Sequence, residues 1–226
     1  MSSFRTTGRK IVAIGRNYAE HAKELNNAVP TEPFFFLKPT SSYVDNGGVI
    51  EIPKGVVAHF EVELGAVIGR RAKDVRREEA MKYVAGYALG VDMTARNVQD
   101  KVKKAGLPWS TAKGFDSFTP ISSFIPASSI PDPSNVNLWL KTNGNTRQNG
   151  NTKDMIFGIP QLIEHVSSIM TLEEGDLLLT GTPSGVGQTQ DGDVMEAGLQ
   201  LPGESRILAE LKMKVKERQG GYVFKL

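Results

Sequence analysis

The chain has 226 residues, of which 39% are apolar and 23% are charged, a composition typical of a globular protein rather than a disordered or fibrous one. Its 27 basic and 25 acidic residues leave a formal net charge of +2, which gives no electrostatic reason to expect a nucleic-acid or membrane partner. The absence of cysteine excludes disulfides, thiolate metal sites and a cysteine nucleophile. No apolar run approaches the roughly 18 residues that a membrane-spanning helix needs.

In chain order, hydrophobic periodicity and the Pro and Gly positions predict a succession of short elements. They are a strand at 10–15, helical turns at 17–25, strands at 34–38, 49–52 and 61–69, a helix at 77–83, a strand at 87–91, a helix at 94–104, a hairpin of strands at 137–142 and 146–148, a helix at 160–170, and strands at 177–180 and 211–216. Strands outnumber helices without regular alternation, which favours a β-rich α+β fold.

We interpret residues 1–226 as one domain. The proline-bounded stretch 126–133 has a similar pattern on both sides, so we interpret it as a loop inside that domain. The first ten residues contain basic and hydroxyl side chains, and no acid precedes Glu20, which faintly resembles an organelle transit peptide. The simpler interpretation is a flexible arm at residues 1–9.

Glu61 and Glu63 lie two apart on a predicted strand, so their carboxylates project from the same face, while Val62 and Leu64 take the buried face. Asp92 ends the strand predicted at 87–91. Three carboxylates without a thiol form an all-oxygen set that suits Mg²⁺, Mn²⁺ or Ca²⁺. The alternative for the two glutamates is an ordinary solvated strand face.

Arg96, Gln99 and Lys103 share one face of the helix that follows Asp92, and the first two lie nearest to it. Arg96 and Gln99 could bind a substrate carboxylate, whereas Lys103 fits better with an ordinary polar face. Lys113 is flanked by small residues and is a candidate site cation.

His21 and Glu24 lie three apart on a predicted helical turn, where the carboxylate could orient the imidazole and make His21 a general base. Of the other histidines, His165 is expected at a surface or boundary, and His59 either lines the site or simply flanks the strand.

A glycine-rich segment at 180–187 follows the strand predicted at 177–180. It matches neither a P-loop, nor a dinucleotide-binding fingerprint, nor a nucleophile elbow. The hydroxyl of Thr182 and nearby backbone N–H groups could face a ligand, but a plain tight turn fits equally well.

Taken together, these segments resemble the fumarylacetoacetate hydrolase family, and in particular its small eukaryotic branch of acylpyruvases and oxaloacetate-acting enzymes. The matching stretches run in family order over nearly the whole chain, and they are 15–21 (GRNYAEH), 36–40 (FLKPT), 61–64 (EVEL), 86–96 (GYALGVDMTAR), 106–109 (GLPW), 112–114 (AKG) and 179–187 (LTGTPSGVG).

The resemblance implies a mixed β-sandwich roll that forms a homodimer, with Mg²⁺ or Mn²⁺ in a catalytic domain. It implies metal ligands at Glu61, Glu63 and Asp92, and it suggests a mitochondrial rather than a cytoplasmic location. It also implies further roles, which are catalysis by His21, Glu24 and Lys113, with His21 and Glu24 on a lid, and substrate contacts by Arg16, Arg96, Gln99 and Thr182.

The implied substrates are small 2-oxo acids such as oxaloacetate and acylpyruvates, which bind the metal through the 1-carboxylate and 2-oxo oxygen and react through a stabilised enolate. Three outcomes stay open. They are C–C hydrolysis of an acylpyruvate, decarboxylation of oxaloacetate, and keto–enol tautomerisation of oxaloacetate. The non-enzymatic alternatives are a binding module that lost the chemistry and a nucleic-acid binder that uses the lysines at 212–216, although alternating lysines more often protect an edge strand.

Overall fold

The computed structural model describes residues 4–24 and 28–225. The α-helices are α1 (Phe4–Thr7), α2 (Ala19–Glu24), α3 (Arg96–Lys104), α4 (Ser110–Lys113) and α5 (Ile159–Ile169), and 3-10 helices lie at Thr40–Ser42, Arg77–Tyr83, Ala127–Ser129 and Thr152–Asp154. The strands are β1 (Ile11–Gly15), β2 (Phe34–Lys38), β3 (Tyr43–Asp45), β4 (Val49–Ile52), β5 (Ala58–Phe60), β6 (Val62–Ile68), β7 (Val84–Val91), β8 (Thr94–Ala95), β9 (Thr119–Ile121), β10 (Ile125–Pro126), β11 (Asn137–Thr142), β12 (Asn145–Asn151), β13 (Leu177–Leu179), β14 (Gly187–Thr189), β15 (Val194–Gln200) and β16 (Ile207–Glu217).

The strands of the described residues form a large sheet, a second sheet and a small sheet, so the expected β-rich α+β fold is confirmed. The large sheet has the order β2-β1-β13-β6-β7-β9-β3, with β10 paired to β7. The second sheet has the order β12-β11-β15-β16-β4, and the small sheet has the order β14-β5-β8. Within the described ranges, no helix is both long and apolar enough to cross a membrane.

Strand β6 lies in the middle of the large sheet, antiparallel to both β13 and β7. All seven of its residues are buried. Val62 and Leu64 are buried as expected, but the alternative of a solvated opposite face is wrong, because the strand is covered on both faces.

The register of the large sheet brings four chain segments to one edge. Strands β1 and β13 run parallel, with Ala13 beside Leu179. Leu179 pairs with Gly65 near the start of β6, and Val62 pairs with the last residue of β7, Val91. The segments after β1, β13 and β7 therefore meet the residues just before β6.

The helices largely follow the sequence pattern. Pro160 lies in the first turn of α5, whose buried side includes Leu162 and Val166, as predicted. The helix expected at 94–104 begins only at Arg96, because Thr94 and Ala95 pair with β5 as strand β8. Residues 77–83 form a 3-10 rather than an α-helix and lead directly into β7.

The predicted hairpin is present as β11 and β12. Asn143 and Gly144 both adopt positive φ angles, of 51° and 78°, which suits a tight two-residue turn. The second strand is longer than predicted and extends through Asn151.

The flexible arm expected at residues 1–9 is wrong for residues 4–9, and residues 1–3 lie outside the described residues. Phe4 is buried and lies against the rings of Tyr43 and Phe124. The backbone N–H groups of Arg9 and Lys10 both donate to the buried carboxylate of Asp176. This end of the described chain is therefore packed onto the large sheet.

The interpretation of the lysines at 212–216 as protection for an edge strand is also wrong. Strand β16 pairs with β15 on one side, and its residues 214–217 pair with β4 on the other. The lysines are exposed between buried Leu211, Met213 and Val215, so they cover the solvent face of an interior strand.

Candidate active site

Glu61, Glu63 and Asp92 form a compact carboxylate cluster at the edge described above. Glu61 immediately precedes β6, Glu63 lies in it, and Asp92 immediately follows β7. The Asp92 backbone N–H donates to the Glu61 carbonyl at 2.8 Å, which fixes the two segments side by side. Each residue is buried and offers an oxygen atom, and these oxygens all lie within 4.8 Å of one another.

Three cationic side chains contact this cluster. Arg96 Nη2 donates to Glu61 Oε1 at 2.5 Å, and Lys113 Nζ bonds to both Glu61 and Asp92. Lys38 Nζ donates to Asp92 Oδ1 at 2.5 Å. Arg96 and Lys113 are candidate site residues from the sequence, whereas the sequence pattern predicts only that Lys38 lies in a strand.

Lys38 is buried and its ammonium has three acceptors. Besides Asp92, it donates to the carbonyl oxygens of Met93 at 3.2 Å and Phe118 at 2.8 Å. Burial lowers the pKa of Lys38, against the opposing charge of Asp92. For Lys113 the balance is reversed, because the charges of Asp92 and Glu61 outweigh burial and raise its pKa.

The pKa values of the two glutamates shift in opposite directions because their neighbours differ. Burial favours the neutral form of Glu61, but the charges of Lys113 and Arg96 outweigh it and hold the Glu61 pKa well below its usual range. Burial and the charges of Asp92 and Glu61 raise the pKa of Glu63 well above its usual range. Glu63 accepts a backbone hydrogen bond from Gly181 at 2.8 Å. A cation bound beside Glu63 would relieve this repulsion.

The cluster therefore fits a hard divalent cation. Its donors are all carboxylate oxygens, the ligands that Mg²⁺ and Mn²⁺ prefer, and they lie at the start of β6 and just after β7. With few protein ligands, coordination positions would remain for water and a substrate.

His21 and Glu24 meet on α2, as the spacing predicted. The distance from His21 Nδ1 to Glu24 Oε2 is 3.3 Å. His21 is 5% exposed, and Glu24 accepts from the Gly185 backbone N–H through both carboxylate oxygens, at 3.1 and 3.2 Å. The glycine-rich loop thus holds the acid of the pair.

A cavity of about 110 Å³ connects the pair with the cluster. The residues that line it are Ile14, Gly15, Arg16, His21, Phe36, Glu61, Glu63, Arg96, Gln99, Asp100, Lys103, Trp109, Lys113 and Thr182. Glu24 and Asp92 lie behind this lining, where Glu24 bonds to His21 and Asp92 bonds to Lys113. The expected substrate residues thus lie around one space, and their roles stay predictions. Lys103, interpreted as part of an ordinary polar face, also lines it.

Thr182 contributes to the local framework as well as to the lining. Its hydroxyl donates to the Val62 carbonyl and accepts from Gln148 Nε2, both at 2.8 Å. Arg96 Nη1 donates to Gln99 Oε1 at 2.6 Å, which confirms that these helix residues are neighbours. Arg16 has a left-handed φ of 55°, a conformation uncommon for a residue other than glycine.

One wall of the cavity is aromatic. The rings of Phe36 and Trp109 are 5.4 Å apart, and Lys113 Nζ lies 4.7 Å from the Phe36 centroid.

The two other histidines are not in the cavity lining. His59 lies behind Arg96, which donates to its Nδ1 at 3.4 Å. Burial and the Arg96 charge lower the pKa of His59 to about 4. His165 is partly buried against Phe35, as expected of a boundary residue.

Comparisons with known proteins agree with this arrangement. The family model for the fumarylacetoacetate hydrolase C-terminal domain matches residues 10–215. The mitochondrial oxaloacetate tautomerase of Arabidopsis thaliana is 57% identical over 210 residues, which is 92% of this chain and 93% of the relative. The mitochondrial oxaloacetate decarboxylase of Dictyostelium discoideum is 57% identical over 201 residues, with 88% and 92% covered.

Solved structures share the fold. A yeast protein of the fumarylacetoacetate hydrolase family has a TM-score of 0.90 at 36% identity and covers 100% of both chains. Fumarylpyruvate hydrolase from Pseudomonas aeruginosa, solved with Mn²⁺ and pyruvate, has a TM-score of 0.84 at 35% identity, with 93% of this chain and 91% of that chain covered.

The two curated relatives and the Pseudomonas protein are named as enzymes, which confirms the enzymatic interpretation. Both curated relatives are also named as mitochondrial, which supports the mitochondrial location expected from the resemblance. The matched family model spans most of the chain, and each sequence motif contributes at least one residue to the lining of one cavity. The chain belongs to the fumarylacetoacetate hydrolase family.

Proposed function

We propose that this enzyme is an oxaloacetate keto–enol tautomerase that uses a Mg²⁺- or Mn²⁺-loaded carboxylate cluster. The observation that carries the proposal is that His21, which is paired with Glu24, lines the same cavity as Glu61 and Glu63 of the carboxylate cluster. Tautomerisation needs one group that takes a proton and a surrounding that favours the enolate, and this cavity has residues for both. The relative from Arabidopsis supports this assignment.

The charges in the cavity suit a divalent ion together with a dianionic substrate. The cluster carboxylates are already contacted by Lys38, Arg96 and Lys113. A doubly charged ion and a doubly charged 2-oxo acid would enter without changing the net charge of the buried site. When bound, the ion would supply the positive charge that lowers the free energy of the enolate.

The chain's own residues then have separable tasks. Arg96 and Lys113 would orient the substrate through its carboxylate and 2-oxo oxygens. A His21 tautomer that donates Nδ1–H to Glu24 leaves Nε2 as the group that takes the C3 proton. Return of a proton to the 2-oxo oxygen gives the enol, and the reverse sequence restores the keto form.

C–C cleavage is the second candidate, because loss of CO₂ from the keto form of oxaloacetate also leaves an enolate in the site, and this enolate takes up a proton to give pyruvate. The decarboxylase named in Dictyostelium supports loss of CO₂ from oxaloacetate. Hydrolysis of an acylpyruvate would instead need a water molecule that His21 activates for attack on the distal carbonyl.

Two signals followed on the same sample separate these reactions. We expect the purified protein with Mn²⁺ to accelerate the change in enol absorbance of oxaloacetate, while pyruvate forms at the uncatalysed rate. Rapid pyruvate release with no acceleration of enol exchange would overturn the tautomerase assignment in favour of decarboxylation. Acetylpyruvate in a parallel assay tests hydrolysis.

Removal of the ion tests the metal. We expect treatment with a chelator to abolish activity and Mn²⁺ to restore it. We also expect Glu63→Gln to bind Mn²⁺ poorly in calorimetric titration, because a cluster ligand is lost. Glu51→Gln, which changes an exposed glutamate on β4, is the matched control. Full turnover in metal-free buffer would contradict the metal assignment.

We also propose, from the family resemblance, that the protein is a homodimer that binds neither nucleic acid nor membranes. Sedimentation should then give twice the 24.6 kDa mass of the chain.

A further inference from the structure

Gln148 links the second sheet to the carboxylate cluster. It lies in β12 and is fully buried. Its Oε1 accepts from the Val62 backbone N–H at 2.9 Å. Its Nε2 donates to Thr182 Oγ1 at 2.8 Å and to the Pro183 carbonyl at 2.9 Å. Both the oxygen and the nitrogen of the Gln148 amide therefore form hydrogen bonds with backbone or loop atoms next to the carboxylate cluster.

These contacts close a ring of hydrogen bonds around Val62. Gln148 holds the Val62 N–H, Thr182 donates to the Val62 carbonyl at 2.8 Å, and Gln148 donates to Thr182. Val62 is the residue between Glu61 and Glu63. The ring therefore fixes the peptide units that join the two glutamates of the cluster.

The ring stands where the sheet ladder stops. The register pairs Leu179, the last residue of β13, with Gly65 of β6. Within the described ranges, β13 does not extend to Val62, so Gln148 and Thr182 satisfy its backbone groups instead. Buried backbone groups left without partners destabilise the folded chain, so these two side chains stabilise the start of β6.

Two glycines allow β12 and the loop to approach closely enough for these bonds. A Cβ atom at Gly150 would lie 2.4 Å from Pro183 Cβ, and one at Gly185 would lie 2.1 Å from the Arg147 carbonyl oxygen. Both contacts flank Gln148 along the strand. Gly185 also donates to Glu24, so the same loop reaches the acid of the His21 pair.

We propose that Gln148 is a positioning residue for the metal site: it sets the separation of the Glu61 and Glu63 carboxylates and anchors the loop that holds Glu24. This role rests on the metal site of the proposed function. It predicts that loss of the amide weakens metal binding without removing any ligand.

The test is a titration of Mn²⁺ into metal-free protein. Calorimetry measures the Mn²⁺ affinity, and a separate assay measures activity as a function of Mn²⁺ concentration. Gln148→Met keeps the side-chain length and removes the hydrogen bonds, and Thr182→Val removes the hydroxyl that completes the ring. We expect each to weaken Mn²⁺ binding about 10–100-fold, the range measured for groups that orient metal ligands. The double variant should lose less than the product of the two losses, because both act on one ring.

Two further readouts distinguish positioning from a general loss of stability. Saturating Mn²⁺ should return most of the turnover rate to Gln148→Met, since the ligands and His21 remain. Thr142→Val, a buried threonine change on β11, should leave Mn²⁺ affinity unchanged.

A folded Gln148→Met protein with wild-type Mn²⁺ affinity would overturn the inference. If Gln148→Met does not fold, wild-type affinity in Thr182→Val would overturn it instead. If the wild-type protein itself binds no divalent ion, the proposed metal function fails and the positioning role falls with it, a pattern distinct from normal wild-type binding with unaffected variants.

Discussion

At the scale of single residues, the site depends on which charge has which neighbour. Glu61 and Glu63 are two residues apart in the same chain segment, yet their pKa values shift in opposite directions. The difference comes from Lys113 and Arg96, which contact Glu61 directly. Within the part of the chain that the structure describes, cationic side chains form ion pairs with Glu61 and Asp92 but not with Glu63.

Lys38 gives the first prediction. Lys38→Met removes the ammonium that joins Asp92 to two backbone carbonyls, and it leaves a buried carboxylate with one partner fewer. Breaking a buried ion pair in this way costs about 3–5 kcal/mol. We expect urea unfolding to show a loss of this size, with weaker Mn²⁺ binding. Lys153→Met changes an exposed lysine and should be neutral; equal stability of both variants would contradict the role of Lys38.

His21 gives the second prediction. His21→Ala should lower the rate of enol exchange by about 10²–10⁴-fold, the usual contribution of a general base. Mn²⁺ and oxalate should still bind, because the carboxylates and cations are untouched. His165→Ala changes a histidine on α5 outside the cavity lining and serves as the control. Wild-type turnover in His21→Ala would rule out its role as the base.

At the scale of elements, the site is built where strands end. The carboxylates come from the start of β6 and the end of β7, while His21 follows β1 and the glycine-rich loop follows β13. The sheet register sets the spacing of the carboxylates. The loop sets the position of Glu24 through Gly185.

Gly185 tests the importance of that loop. Gly185 has a φ of 93°, and an added Cβ would lie 2.1 Å from the Arg147 carbonyl oxygen. We expect Gly185→Ala to lose activity as well as about 1–3 kcal/mol of stability, because the loop must move away from Glu24. Gly203→Ala is matched for positive φ, but within the described residues no atom lies within 4 Å of its added Cβ. Gly203→Ala should therefore lose stability but keep wild-type activity. Thermal melting measures the stability of both variants, and enzyme kinetics measure their activity.

Sequence reasoning succeeded for features with local spacing. The pairs Glu61–Glu63 and His21–Glu24 share a face because a strand repeats every two residues and a helix brings i and i+3 together. Lys38 and Gln148 were missed because their partners lie 54 and 86 residues away, and only the folded register joins them. The lysines of β16 were misinterpreted because an exposed face alternates in the same way on edge and interior strands.

At the scale of the whole molecule, both described ends of the chain are bound to the sheets. Asp176 accepts from Arg9, Lys10 and Glu173, which ties the segment before β1 to the turn before β13. Near the other end, Phe224 donates its backbone N–H to the Lys54 carbonyl. The N-terminal segment could not be predicted because the burial of one phenylalanine depends on distant rings.

Phe4 tests this packing. Phe4→Ala should destabilise the protein by about 3–5 kcal/mol, as expected for a buried phenylalanine. Enol exchange well below the melting temperature should be unaffected, because Phe4 is not among the residues that line the cavity. Leu107→Ala, at a side chain that is 56% exposed, is the control in denaturant titration. If this segment were flexible, Phe4→Ala would cause no loss of stability.

The meeting of four chain segments at one sheet edge has a consequence for how such enzymes diversify. The carboxylates belong to paired strands and tolerate little displacement, and the connection after β13 is bound to the Val62 carbonyl through Thr182. The connection after β1 can change in length and composition without breaking either contact, so new selectivity can evolve there around an inherited charged centre.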